Sequence, residues 1–302
     1  MPGSTVHAMD IRSEVRDFLT SRRGRITPED VGLKVFGPRR VPGLRREELA
    51  ILAGLSVDYY NRLERGNLGG ASDSVLDALA DALQLDDAER AHLHDLAAAS
   101  QPTTRSRRRA PSQNVRPSVQ WMLDSMTTAA AFAENARLDA LGANPLGRAL
   151  YPALFAHGRQ PGNWARYIFL NPEARTIYAD WDRASRETVA LLRTEAGRNP
   201  HDRDLSDLVG ELATQSHEFR TLWAAHNVRL HTKGVKQLHH PVVGELELSF
   251  NRLEVLADGL TIVAYTAEPG SKSAEALGLL ASWATTPDAV DVQRLRDVAD
   301  DR

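Results

Sequence analysis

The sequence predicts an all-α domain followed by an α+β domain, and three observations carry that reading. Apolar residues recur at helical spacing in EVRDFLTSRRGR, RREELAILAG, SVDYYNRLERG, SDSVLDALADALQL and DAERAHLHDLAAAS, and none of these segments alternates like a strand. The stretch QPTTRSRRRAPSQNVRP then joins three prolines and five arginines with almost no large apolar side chain, the composition of an exposed linker. Beyond it, helical and alternating patterns are interleaved. These shifts place a helical domain at 1–100, a basic linker at 101–117, a mixed domain at 118–290 and a tail at 291–302.

A chain of 302 residues with 42% hydrophobic content is long enough for two buried cores. No stretch approaches the roughly 18 to 20 uninterrupted apolar residues needed to span a bilayer, and the start lacks a cleavable apolar leader, so the expected location is the cytoplasm, without membrane insertion. With no cysteine there is no disulfide, thiolate nucleophile or zinc–thiolate site. The net charge of −3 hides an asymmetry: residues 22–46 hold Arg22, Arg23, Arg25, Lys34, Arg39, Arg40, Arg45 and Arg46 against only Glu29 and Asp30. Such a confined basic patch suits a polyanion, or is simply a solvated arginine face.

Among the helical segments, SDSVLDALADALQL has an apolar stripe of Val75, Leu76, Leu79, Ala80 and Leu83, with Ser72 or Asp73 to cap it. The segment RREELAILAGLSVDYYNRLERG has the parts of a helix-turn-helix. Gly54 can take the positive φ of the turn, Ala50 leaves room for close approach, and Leu49, Ala53, Leu55, Tyr60 and Leu63 fall at inward positions. Ser56 caps the second helix, whose outward set is Val57, Asp58, Tyr59, Asn61 and Arg62. Arg62 is the expected base reader, able to give two parallel bonds to guanine; Asn61 suits adenine and Val57 a thymine methyl. Tyr59, Arg45 and Arg46 are placed for phosphates, and Asp58 for a local cap. Glu64 reads as structural, a partner for Arg22 or Arg23, and Gly66 as a left-handed cap. The partner expected from this set is double-stranded DNA, bound by a homodimer, because one module spans one half-site.

In the second domain, helices are expected at 118–126, 145–155, 173–196, 204–213, 217–225 and 272–284. AAAFAEN and ARLDALGAN pair early; GVKQLHHPVVGELELSFNRLEVL and TIVAYTAE form a later meander, with Leu246, Leu248 and Phe250 alternating against polar residues. His226, His231, His239 and His240 lack metal-ligand spacing, and His239 and His240 on a strand point to opposite faces, so His240 is expected to be buried on a backbone partner. Neither Ser249 nor Ser271 lies in G-x-S-x-G, and EPGSKS is a helix entry capped by Ser271 or Ser273 rather than a phosphate loop. No catalytic or cofactor motif emerges. Trp164, Tyr167, Phe169, Trp181 and Trp223 are candidates to line an apolar pocket, with Arg166, Lys233 or Lys236 at its mouth; the bland alternative is ordinary core packing.

The segment VGLKVFGPRRVPGLRREELAILAGLSVDYYNRLERG resembles the Cro/repressor-like, xenobiotic-response-element type of helix-turn-helix and, within it, the MmyB-like transcription regulator family. FLNPEAR, YADWDRASRETVALLR, LVGELATQSHEFRTLWAAHNV, HPVVGEL and YTAEPGSKSAEAL resemble blocks of that family's C-terminal domain, so the similarity runs from about residue 12 to 286. The resemblance implies a PAS-like sensor with an antiparallel sheet flanked by helices, a fatty-acid-like or other apolar ligand, and control of transcription. One departure is Ala143 before Asn144, where the family commonly has tryptophan. A second domain that recruits another protein without any small molecule is the competing expectation.

Overall fold

A computed structural model of the chain describes residues 11–33, 39, 41, 43–101, 114–156, 161–200, 202–225 and 233–285. Most of the expected linker, the expected tail, His226 and His231 lie outside the described residues. The chain divides into two compact units, Met1–Arg108 with Val189–Leu230, and Arg109–Thr188 with His231–Arg302.

The first unit opens with α1 (Ile11–Arg25), a short 3-10 turn at Glu29–Val31, α2 (Arg46–Leu52), α3 (Val57–Glu64), α4 (Asp73–Ala82) and α5 (Asp87–Ala99). Each expected helix forms, because each has an apolar stripe that needs a partner. Val15, Phe18 and Leu19 from α1 meet Leu49, Tyr60, Leu63, Leu76, Leu79, Leu93 and Leu96 in one core. Ser72 is the N-cap residue of α4, yet its hydroxyl pairs with Ser74 rather than with the helix backbone. Asp86 caps α5 conventionally, accepting from the Glu89 amide. The C-terminal part of α11 (Trp181–Arg198), α12 (Arg203–Gln215) and α13 (His217–Ala224) belong to this unit as well. There Arg193, wholly buried, donates to Glu14 and to the Trp223 carbonyl. Gly197 lies so close to His92 that a β-carbon would sit 2.5 Å from the imidazole.

The second unit is an antiparallel sheet with helices. Its strands are β1 (Ala130–Glu134), β2 (Asp139–Ala143), β3 (Gly162–Asn163), β4 (Lys233–His240), β5 (Gly244–Val255) and β6 (Leu260–Thr266), in the order β3-β2-β1-β6-β5-β4. The early pair and the late meander therefore join edge to edge through β1 and β6, with Phe132 opposite Val263. On one face, Val119 and Leu123 of α6 (Pro117–Ser125) pack on Ala131, Ala133 and Ile262. The alanines let the helix approach, and at Gly142 a β-carbon would meet Gln120 and Val115 at 2.9 Å.

Two expected helices are broken. Residues 145–155 form α7 (Pro145–Leu150) and α8 (Pro152–Phe155), since Pro152 has no N–H to continue the ladder. Residues 173–196 split into α10 (Glu173–Ile177) and α11, because Tyr178 bridges Leu238 and the Ala179 amide donates to the Gln237 carbonyl, drawing the chain onto the edge of β4. Helix α9 (Trp164–Leu170) and the short β3 were not expected; periodicity over so few residues distinguishes neither. The last helix, α14 (Lys272–Thr285), starts as expected with the Ala274 amide donating to Ser271 Oγ at 3.1 Å.

Candidate nucleic-acid interface and a buried aromatic cluster

The turn between α2 and α3 forms as its residue types require. Gly54 has φ +66°, and the Leu55 amide donates to the Ala50 carbonyl at 2.8 Å. Ser56 Oγ accepts the Tyr59 amide at 3.2 Å, which starts α3. Leu49, Ala50, Ala53, Tyr60 and Leu63 are buried, and Leu55 is half-buried against the same core. At the far end Gly66 has φ +92° and lies against α1, where a β-carbon would sit 2.4 Å from the Arg12 carbonyl oxygen.

A buried carboxylate ties the three supporting helices together. Glu64 is 1% exposed and accepts Arg23 Nε at 2.7 Å, the Tyr60 hydroxyl at 3.0 Å and Arg46 Nε. Burial raises its carboxyl pKa, but the hydrogen bonds from Arg23 and Arg46 prevail and hold it below the usual range. Arg23 also donates to the Leu44 carbonyl at 2.8 Å, anchoring the chain entering α2. Arg22, the other sequence candidate for Glu64, pairs instead with Glu89 at 2.8 Å. Arg39 binds both oxygens of Glu48 at 2.8 Å and the Gly43 carbonyl at 2.9 Å.

Much of the basic patch is thus internal wiring. Lys34 and Arg40 lie outside the described residues. Arg45 and Arg62 are exposed and make no ion pair among the described residues; Arg46 is half exposed but turned to Glu64. Arg62 lies over the Tyr59 ring at 5.5 Å. Ser56 and Asp58 are exposed, whereas Val57 and Tyr59 are half-buried against the core. Asn61 is half-buried as well, its Oδ1 enclosed without a partner, so in this rotamer it does not offer both amide atoms outward.

The Arg39–Glu48 pair predicts an acid sensitivity. Hydrogen bonds from Arg39 hold the Glu48 pKa at about 2 against an ordinary 4.5. A folded value below the unfolded one stabilises the folded state fully above pH 4.5 and loses that contribution as pH falls towards 2. Denaturant midpoints measured between these limits should fall with acid, and Arg39→Met should flatten that slope.

In the second unit, Phe132, Tyr151, Trp164, Tyr178 and Tyr265 pack ring to ring. Tyr151 stands edge-on to Trp164 at 4.8 Å and stacks with Tyr178 at 6.1 Å; Phe132 lies 4.6 Å from Trp164 and 5.8 Å from Tyr265. Tyr167 joins edge-on to Trp164 at 6.3 Å. Burial pushes the hydroxyls of Tyr151, Tyr167, Tyr178 and Tyr265 upward in pKa, so they remain protonated. Lys236 Nζ lies 5.5 Å from the Phe250 ring centre and pairs with Glu187.

Of the expected pocket residues, Trp164, Tyr167 and Lys236 border this cluster. Phe169 and Trp181 meet each other nearby at 6.0 Å, with Arg175 over Trp181 at 3.8 Å and the Trp181 indole donating to the Ile168 carbonyl. Arg166 is exposed. Trp223 belongs to the first unit, stacked on Phe219 under Arg193. Phe132, Tyr151, Tyr178 and Tyr265 escaped the sequence reading, although the alternation of LTIVAYT marks Tyr265 as sharing a face with Val263.

His240 is buried, its Nε2–H donating to the Ala149 carbonyl at 3.0 Å while Nδ1 accepts the Val242 amide at 3.2 Å; burial lowers its pKa. His239 is exposed on the other face.

A family model described as a helix-turn-helix domain matches residues 17–93, and one described as the MmyB-like transcription regulator ligand binding domain matches residues 115–280. No curated protein matches the chain. A helix-turn-helix with an outward second helix, followed by a ligand-binding domain, defines a DNA-binding transcriptional regulator. The chain belongs to the MmyB-like transcription regulator family. Neither matched domain is an enzyme family, and no described helix is long and apolar enough to cross a membrane.

Proposed function

We propose that the chain is a ligand-responsive regulator that binds palindromic double-stranded DNA as a homodimer and whose second unit serves as a PAS-like sensor of an apolar, fatty-acid-like molecule. The observation that carries the DNA half is Arg62: exposed on α3, facing outward, and held over Tyr59 without a carboxylate partner among the described residues. It is available to give guanine two parallel hydrogen bonds, while Arg45, with Arg46 beside it, meets phosphates. Val57, Asp58, Tyr59 and Asn61 complete the surface presented to the groove, with Ser56 setting where the helix begins.

The ligand half rests on the aromatic cluster, in which Trp164 and Tyr167 are the proposed contacts. Phe169, Trp181 and Arg166 lie on the same or adjoining helices and Lys236 stands at the cluster's edge, whereas Trp223, in the first unit, is left out of the proposed site. Ligand control requires different affinities for the DNA-competent and DNA-incompetent states, since equal binding to both shifts nothing.

Arg62→Ala is expected to weaken specific binding by about 1 to 3 kcal/mol and to relax one base position, whereas Arg45→Ala weakens all sequences alike and reduces the salt slope. Selection of bound genomic fragments followed by salt titration of both variants tests this. Equal effects of the two on every sequence would remove the assigned division. Solvent extraction of the purified protein with mass spectrometry tests the sensor: a stoichiometric apolar molecule supports it, and consistent absence counts against it.

A further inference from the structure

Helix α11 belongs to both units, the chain passing from Thr188 to Val189 without a break in the helix. The match to the MmyB-like ligand-binding domain spans residues 115–280, so 189–230 is ligand-domain sequence that folds with the helix-turn-helix. Rigid elements fastened at two places are among the structures that carry coupling between distant sites.

Within the second unit, the first half of α11 is tied to the sheet. Glu187 is buried and accepts both Lys236 of β4 and, at 2.8 Å, Arg183. The Trp181 indole donates to the Ile168 carbonyl of α9 at 3.0 Å. Lys236 also borders the aromatic cluster, lying 5.9 Å from the Tyr178 ring centre, so this end of α11 meets the region proposed for the ligand.

Within the first unit, the second half of α11 is tied to α1 and α5. Arg193 is wholly buried, pairs with Glu14 of α1, donates to the Trp223 carbonyl and lies 4.1 Å from the Trp223 ring centre. Arg198 pairs with Asp95 of α5 at 3.1 Å. His92 of α5 stands edge-on to Phe18 of α1 at 5.0 Å and crowds Gly197, where any β-carbon would clash with the imidazole. Only glycine fits there, so α11 has one register on α5. A buried charge pair adds little stability over an apolar contact of the same size, and its best-attested use is to fix register. The helix held in this way is the one that holds α3: Arg12 of α1 lies against Gly66, and Arg23 binds Glu64.

We propose that α11 is the coupling element through which the second unit controls α3, with Arg193 the positioning residue that fastens it, through Glu14, to α1. This rests on the reading of the second unit as a sensor and names the route by which its state reaches the DNA-binding surface.

The test is a double-mutant cycle in the full chain with no ligand added, so its result does not depend on the solvent extract that decides the sensor reading. Lys236→Met perturbs the sheet end of α11 while leaving Glu187 its bond from Arg183; Glu14→Gln loosens the far end. Arg198→Gln, at a half-exposed pair, replaces Glu14→Gln if that chain folds poorly. Amide hydrogen exchange is followed in α1, α3 and α4, and affinity is measured for the genomic fragment that the wild type recovers most strongly. Independent distant sites multiply to within about twofold. Here the double variant should depart from the product of the single effects by at least about threefold, in the exchange of α1 and α3 and in DNA affinity alike.

A product kept to within about twofold in exchange overturns the coupling. Faster exchange spread evenly through α4 as well shows only lost stability and overturns it too. Coupled exchange without coupled DNA affinity overturns the control of α3.

Discussion

Glu64→Ala is expected to unfold the helix-turn-helix at temperatures the wild type tolerates, with a loss of about 3 to 5 kcal/mol, the range for breaking a buried ion pair from one side. The carboxylate is 1% exposed and Arg23, its partner, 13% exposed, so removing the acid leaves the guanidinium without a counter-charge, with the neutral Leu44 carbonyl and Tyr60 hydroxyl beside it. The Tyr60 hydroxyl, in the core at 0% exposure, loses its acceptor too. Arg46 contributes less, being half exposed and screened by water. Glu64→Gln keeps an acceptor for Tyr60 and should cost less than alanine. Urea denaturation followed by circular dichroism gives the ordering, and a Glu64→Ala chain with an unchanged midpoint would show that the triad does not hold the unit together.

Asn144→Ala should damage the second unit as severely. Asn144 Oδ1 accepts the Ala131 amide at 3.0 Å and the Gly147 amide at 2.7 Å, while Nδ2 donates to the carbonyls of Met126 and Ala129, both at 2.7 Å. One side chain therefore caps α7, pins its start to β1 and closes the turn leaving α6. Alanine leaves these backbone groups without that partner, and at about 1 to 3 kcal/mol for each one left buried and unpaired the loss should exceed 4 kcal/mol. Asn144→Asp preserves the acceptor side but sets a carboxylate against two carbonyl oxygens, so it should be destabilising too. Thermal unfolding should show the loss for both variants; tolerance of alanine would mean that water replaces the amide.

The role of Asn144 shows where sequence reading stops. The resemblance drew attention to its neighbour, Ala143, because a tryptophan is common there, but the asparagine is the residue that organises the region. Its four partners lie at residues 126, 129, 131 and 147, and no periodicity announces that they converge. The basic patch teaches the same lesson. Eight cations within a short segment suggest an electrostatic footprint, yet Arg22, Arg23 and Arg39 are paired to Glu89, Glu64 and Glu48. Glu89 and Glu64 are far along the chain from their arginines, so composition within the patch could not reveal the pairing.

What could be read without coordinates was local. The five helices from α1 to α5, the glycine turn at Gly54, the Ser56 cap, the β1–β2 pair and the meander from β4 to β6 depend on period, on φ and on short-range hydrogen bonds, all written in neighbouring residues. Long-range contacts settled the rest. The β4 edge broke the expected helix at 173–196, the join of β1 to β6 made one sheet from two groups of strands, and residues 189–230 went to the first unit. The gathering of Tyr151, Trp164, Tyr167, Tyr178 and Tyr265 is of the same kind: burial of aromatic area is non-directional, so their identities predict an interior, while only packing decides which rings meet.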